Sequence, residues 1–203
     1  MTEPSSYERR WLDVLEEMRS CPAIEVYSAR YAPGGTGAPR SGRLRMSWAA
    51  PDHGFGGELR LRSLPHALEG PPPESVADTE PLVPLDELRA LDGAPENGPG
   101  DQVFLRVRSG GRAPEIWYDD GDQGLCPLDL DHSGYLDALL LTRGTFGWQR
   151  LFTEHGLGGE HDPGDPGGLR LRTRLTAMLA LFPEVFPRYD YRPLRRRFAD
   201  RLR

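Results

Sequence analysis

Two stretches of this chain alternate apolar and polar side chains residue by residue, and a third sets apolar residues at every second position. Leu44, Met46 and Trp48 alternate with Arg43, Arg45 and Ser47, and Leu59 and Leu61 alternate with Arg60 and Arg62. Val103, Leu105 and Val107 fall on one side of the third. A period of two sends one set of side chains to a buried face and the other to water, the pattern of half-buried strands. Residues 51–57, rich in Gly and Asp, join the first two stretches, so 43–49 and 58–64 read as a β-hairpin with a long connection. Ser109-Gly110-Gly111 turns the third into Glu115-Ile116-Trp117-Tyr118, a second hairpin whose aromatic and β-branched residues suit a pleated surface. Ile24 to Tyr31 adds a further strand.

Helical signals gather towards the two ends. Ser5 with Glu8 makes a capping box for a helix over 5–19, where Tyr7, Trp11, Leu15 and Met18 recur at helical spacing before Cys21-Pro22. Beyond the acidic turn at 118–122, a helix opens at Asp131 or Ser133, carries Tyr135, Leu136, Leu139 and Leu140 on one face, and ends at Arg143-Gly144. A short helix over 147–152 brings Trp148, Leu151 and Phe152 to the same core. A helix over 169–181 is stopped by Phe182-Pro183, and Pro193 opens a last one with Leu194, Phe198 and Leu202. Between the hairpins, 66–101 is broken by Pro71-Pro72-Pro73 and by the Gly, Pro and Asn of 92–101. It reads as a flexible excursion with a short helix or turn at 85–91. Strands in succession with helices at the ends predict an α+β fold. The expectation is a single domain over 1–203 with one mostly antiparallel sheet of about five or six strands.

Charge is unevenly distributed. The net charge is −6, and all 25 basic residues are arginine, which excludes chemistry that needs a lysine, such as a Schiff base or a phosphate-loop lysine. Residues 170–203 carry ten arginines against Glu184, Asp190 and Asp200. The rest of the chain is strongly acidic, which argues against nucleic acid as a ligand of the body. The basic tail either folds back on that body or touches an acidic partner. Between Arg112 and Arg143 there is no arginine, while Glu115, Asp119, Asp120, Asp122, Asp129, Asp131 and Asp137 all fall there. Such a run is either a solvated face with helix-capping aspartates or a docking patch for a basic protein.

No catalytic motif is present: no G-x-S-x-G, no H-E-x-x-H, no C-x-x-C and no phosphate loop. Asp131-His132-Ser133 places three catalytic residue types in a row, but neighbouring side chains point in different directions and cannot form a triad among themselves. Glu154, His155, Glu160, His161, Asp162 and Asp165 share one Gly-rich loop and offer ligand types for a divalent metal. Cys21 and Cys126 match no metal spacing and read as reduced thiols of a cytoplasmic protein. The opening residues MTEPSSYERRW hold no apolar run of the kind that marks a secretion leader, and no segment is apolar enough to span a bilayer.

The order of elements over roughly 55–145 resembles the later half of the SUKH superfamily, the Smi/Knr-type bacterial immunity and fungal regulatory proteins. The resemblance lies in the Gly-led strand GGELRLRSL, the pair VFLRV and PEIWYDD with its acidic turn, and the apolar helix with Tyr135-Leu136-Asp137-Ala138-Leu139-Leu140. It implies a single α+β domain without catalytic residues or cofactor that binds another protein, often a toxin it neutralises. The expectation is therefore a cytoplasmic, non-enzymatic protein-binding domain, monomer or homodimer, with no nucleic-acid or membrane partner. Its docking face is expected at Glu115, Trp117, Tyr118, Asp119, Asp120, Asp122, Asp129 and Asp131. The acids would steer a basic toxin domain and the two aromatics would anchor it. Two other readings stand beside it. One is a small metal-dependent hydrolase using 154–165; the other is an accessory subunit docking through Arg195 to Arg197 and Phe198.

Overall fold

The computed structural model describes residues 6–32, 43–77, 83–93, 100–108, 110, 113–119, 121, 124–154, 157 and 166–202. Helix α1 (Ser6–Ser20) leads into β1 (Glu25–Ala32), β2 (Arg43–Ala50) and β3 (Phe55–Arg62), and a short α2 (Leu64–Leu68) follows. Then come β4 (Leu88–Gly93), β5 (Gln102–Arg106), β6 (Glu115–Asp119) and β7 (Leu125–Pro127). The chain closes with α3 (His132–Thr142), a 3-10 turn (Trp148–Phe152), α4 (Pro166–Val185) and α5 (Arg192–Arg201). The fold is α+β, as the succession of strands predicts.

The strands do not form one sheet. Among the described residues, β1-β2-β3 and β4-β5-β6-β7 make two antiparallel sheets. The cause is the free edge of β3, which is taken up before β4 can pair with it. The turn after α3 covers one half: Gly144 O accepts from Glu58 N at 3.0 Å, and Phe146 N donates to Gly56 O at 3.1 Å. Asp92 covers the other half with a side chain, its Oδ1 accepting from Arg60 N at 2.8 Å. The glycines of 54–57 are thus more than turn formers. A Cβ on Gly57 would lie 2.5 Å from Gly144 O, so β3 starts at Phe55 and uses a bare backbone for close approach.

Three local expectations are corrected. The helix or turn expected at 85–91 is a 3-10 turn over Leu85–Glu87 only, and Leu88–Gly93 is a strand, β4. Leu88 and Leu91 are both buried because the register shifts between Ala90 and Asp92, and that bulge turns a period of two into an apparent helical spacing. The three-residue β7, Leu125–Pro127, pairs with β6 and is too short to carry a pattern. Phe182-Pro183 does not stop α4, which continues to Val185. Pro183 lacks the N–H that Leu179 O would receive in a helix, and Arg195 Nη2 of α5 supplies a donor to that carbonyl at 3.0 Å.

One contiguous set of buried side chains draws on both sheets and on α1, α3, α4 and α5, from Trp11, Val14 and Met18 to Trp48, Leu59, Tyr118, Tyr135, Trp148 and Phe182. Its polar centre is Arg143. This residue ends α3 in the left-handed conformation, φ 52°, unusual for a side chain other than Gly or Asn. Its backbone carbonyl accepts from Trp48 Nε1 at 2.8 Å. Its fully buried guanidinium lies 3.8 Å from the Phe186 ring centre and 4.7 Å from that of Tyr189. The guanidinium donates to Tyr191 Oη at 2.9 Å and pairs with Glu17 of α1 at 3.3 Å. One side chain therefore ties α1, the end of α3 and the α4–α5 connection together.

Two predictions follow from these contacts. Arg143→Ala empties a buried aromatic cage and removes the donor to Tyr191, while Glu17 keeps Arg188 and Tyr189, so it lowers unfolding stability by about 3 kcal/mol, measured by urea denaturation. Asp92 is buried, and burial raises its carboxyl pKa against the hydrogen bonds from Tyr135, Arg60 and Gly93, with Glu58 adding to the rise. A folded pKa above the unfolded one stabilises most at acid pH, and that contribution fades as pH rises through the folded value. Asp92→Asn does not titrate. The stability difference between wild type and Asp92→Asn should therefore move in favour of the variant as pH climbs from about 4, the ordinary Asp value, to 7, read from urea midpoints across that range.

Candidate binding surface

The acidic run of the sequence is taken apart by the fold. Trp117 is 6% exposed and packs with Val83, Leu88, Phe104 and Leu125 in a second small core beneath the residues before β4. Tyr118 points to the opposite face and is 1% exposed in the main core. Burial raises its hydroxyl pKa well above the usual value, and it hydrogen-bonds Asp101. Both aromatics obey the alternation of β6, each covered by its own layer, so neither is a surface anchor. Asp119, 5% exposed, accepts from Ala77 N at 2.9 Å and Gly121 N at 3.2 Å. It pins the described part of the 66–101 segment to the turn after β6.

The remaining acids stand at the surface with structural partners. Glu115 pairs with Arg108 at 3.2 Å and accepts from Trp117 Nε1 at 3.2 Å. Asp129 pairs with Arg197 of α5 at 2.9 Å, and Asp137 pairs with Arg10 of α1 at 2.7 Å. Asp131 is the N-cap of α3, accepting from Gly134 N at 2.7 Å and Ser133 Oγ at 3.0 Å; these bonds hold its pKa below the usual carboxylate range. Each described acid of the run thus has a partner within the fold. Distant arginines and backbone N–H groups reach each acid. Asp120 and Asp122 lie outside the described residues, as do His155, Glu160, His161, Asp162 and Asp165 of the loop with metal-ligand residue types. Among the described residues no three His, Cys, Asp or Glu side chains come together as a metal set.

Other reactive groups are also built into the fold. His132, in the first turn of α3, is half-buried, and burial lowers its pKa. The Cys126 thiol is pushed up to about 11 by burial, with the charge of Asp119 adding to the rise, the environment of an unreactive thiol. The basic tail folds back on the acidic body: Arg197 meets Asp129 and stacks 4.5 Å from the Phe152 ring centre, Arg195 completes α4, and Phe198 packs against the core.

One charged surface has no such internal use. On the outer face of β1-β2-β3, the register sets Arg30 opposite Arg45 and Arg45 opposite Arg60. The row exists because Leu44, Met46, Leu59 and Leu61 take the inner face, which leaves the residues between them outside. Arg30 and Arg60 are exposed and Arg45 is half-buried. Among the described residues, no hydrogen bond or ion pair engages the three guanidinium groups. Two residues further along the same face, Ser28, Ser47 and Glu58 form a parallel row, with Ser28 Oγ and Ser47 Oγ 3.0 Å apart. Ser47 and Glu58 are buried, and Glu58 has further interactions within the fold. The two rows line a cavity of about 150 Å³. Ser47 also lines a wider groove of about 400 Å³ beside Phe55, Phe146 and Arg174. Tyr27, at the β1 bulge and 63% exposed, stands at the edge of that groove. Arginine and tyrosine on a concave, partly desolvated surface are the residue types that dominate protein interfaces.

Arg43, Arg45, Arg60 and Arg62 were visible in the sequence as outward positions of alternating strands. That Arg30 joins the row depends on the β1–β2 register, which the bulge at Tyr27 sets and composition cannot give. Like charges directly opposite each other on a sheet are destabilising. Arg45→Thr, which keeps a strand-favouring side chain between Arg30 and Arg60, should therefore raise unfolding stability by about 0.2–1 kcal/mol, measured by urea denaturation at low salt; a fall in stability would show that Arg45 serves the fold. No protein-family model, curated protein or solved structure matches this chain.

Proposed function

We propose that this chain is a non-catalytic protein-binding domain, an immunity protein of the kind the SUKH resemblance implies, which docks on its partner through the outer face of β1-β2-β3. The observation that carries this reading is the cross-strand row Arg30–Arg45–Arg60, three neighbouring cations whose guanidinium groups make no hydrogen bond or ion pair among the described residues. Every described acid of the 115–137 run has a structural partner. A row of arginines is the arrangement that an external acidic surface would complete, and charge complementarity of this kind directs encounter and register. A basic partner, expected from the sequence, would have to displace Arg10, Arg108 or Arg197 from those acids. The groups nearest to a catalytic set are taken up by helix capping and burial, which also favours binding over chemistry.

The test is capture of partners by the tagged chain from lysate of its own host, identified by mass spectrometry. The wild type is compared with Arg30→Glu/Arg60→Glu and with Glu115→Arg/Asp129→Arg, each first shown to be folded by circular dichroism. The expected result is one protein partner whose affinity falls by about tenfold or more, roughly 1.4 kcal/mol, in the arginine variant and holds in the acid variant. The reverse pattern would return the interface to the acidic residues, and no protein partner for any form would overturn the reading.

A further inference from the structure

The cavity on the docking face has a chemistry more specific than its positive charge. It is lined by the row Arg30, Arg45 and Arg60, by the adjacent row Ser28, Ser47 and Glu58, and by Met46 and Leu59. The two hydroxyls are 3.0 Å apart and either atom can be the donor. Whichever donates to the other, the second keeps its proton for another acceptor. Adjacent strands lie about 4.8 Å apart, so the three arginines span roughly 10 Å, enough to close on one small group from both sides. Guanidinium groups are planar forks that match the two oxygens of a carboxylate. The Glu58 carboxylate in the cavity lowers the charge of the site from three positive to two, which disfavours a dianion relative to a monoanion. The sheet face lacks the stacked aromatic platform that single-stranded nucleic acids use: its outward residues are Ser, Arg and Glu, with Tyr27 at the margin.

We infer that this cavity is a socket for a carboxylate side chain of the partner, with Arg45 at its centre, Arg30 and Arg60 as its two jaws, and the Ser28–Ser47 pair donating from the adjacent row. The inference rests on the reading of this face as the docking surface, and it adds that the partner is recognised through a glutamate or aspartate held among the arginine side chains. The charge of the cavity would then be balanced only in the complex.

The experiment is an NMR titration of the full chain, labelled with ¹⁵N, using an acetylated and amidated hexaglutamate peptide as probe. Inorganic phosphate and oligouridylate are titrated separately at matched ionic strength. The expected result is saturable shifts of the Nε–Hε signals of Arg30, Arg45 and Arg60 and of the Ser28 and Ser47 amides with the peptide. Phosphate should bind more weakly, because the Glu58 carboxylate in the cavity disfavours a dianion. Loss of the peptide shifts is expected in Arg30→Gln/Arg60→Gln, whose two positions are exposed and so tolerant. A single Ser47→Ala substitution should weaken the peptide with the arginines intact, separating the socket from general charge. Equal or tighter binding of phosphate or oligouridylate would overturn the carboxylate assignment, as would shifts confined to the arginines of α5. If Arg30→Glu/Arg60→Glu abolishes partner capture while the peptide leaves the cavity signals unmoved, the socket falls and the docking face stands. If the peptide seats and no protein is captured, the docking reading falls and the socket stands.

Discussion

The fold depends on a buried cation. Arg143 is fully buried, and an arginine side chain cannot shed its charge in a protein, so its neighbours stand in for hydration at the terminal nitrogens, while Nε has no hydrogen-bond partner among the described residues. Those neighbours are the Glu17 carboxylate, the Tyr191 hydroxyl, the Leu141 carbonyl and the faces of three aromatic rings. These groups come from α1, α3 and the α4–α5 connection, so satisfying one charge fixes the relative placement of three helical segments. The backbone of the same residue turns left-handed and carries the chain to the open edge of β3, where Gly144 and Phe146 make their hydrogen bonds. Cation, turn and sheet edge are one construction, and the close contact of Gly57 with Gly144 is its tightest point.

Charge along the chain and charge on the surface are different quantities here. The sequence concentrates acids between Arg112 and Arg143 and arginines after 169, which suggests a bipolar molecule. Folding brings the two together at Asp129 and Arg197, and draws Arg10 and Arg108 onto Asp137 and Glu115. Among the described residues, a row without linear signature, the three arginines at positions 30, 45 and 60, makes no hydrogen bond or ion pair within the fold. Like-charge neighbours on a sheet are tolerated only where something outweighs them, and an external counter-charge is the simplest such thing.

Much of the fold was legible. Alternation located β2, β3 and one face of β5, strand-favouring aromatic and β-branched residues located β6, helical spacing located α1 and α3, and Asp131 was one of two caps expected for α3. The failures share a physical cause: a tertiary contact that replaces a local rule. Pro183 would end a helix alone, but an arginine from α5 supplies the hydrogen bond that the helix loses. Leu88 and Leu91 suggest a helix because a bulge shifts the strand's period. One sheet becomes two because an aspartate side chain takes the place of a strand. The candidate site was less legible than the fold, since it depends on register across strands. Trp117 and Tyr118 looked like anchors only while the layers on both faces of β6 were unknown.

The covering of β3 also bears on how the molecule behaves in a crowd. An exposed strand edge is a template on which another chain can add its own strand, the first step towards domain exchange and fibrillar aggregation. Here that edge is closed without a partner strand, by a glycine turn on one half and a single carboxylate on the other. The opposite edge of the same sheet is β1, interrupted by a bulge beside Tyr27 and bearing Arg30, both of which discourage strand addition. The sheet can therefore present a broad, charged outer surface to another molecule while offering little at either margin for uncontrolled self-association.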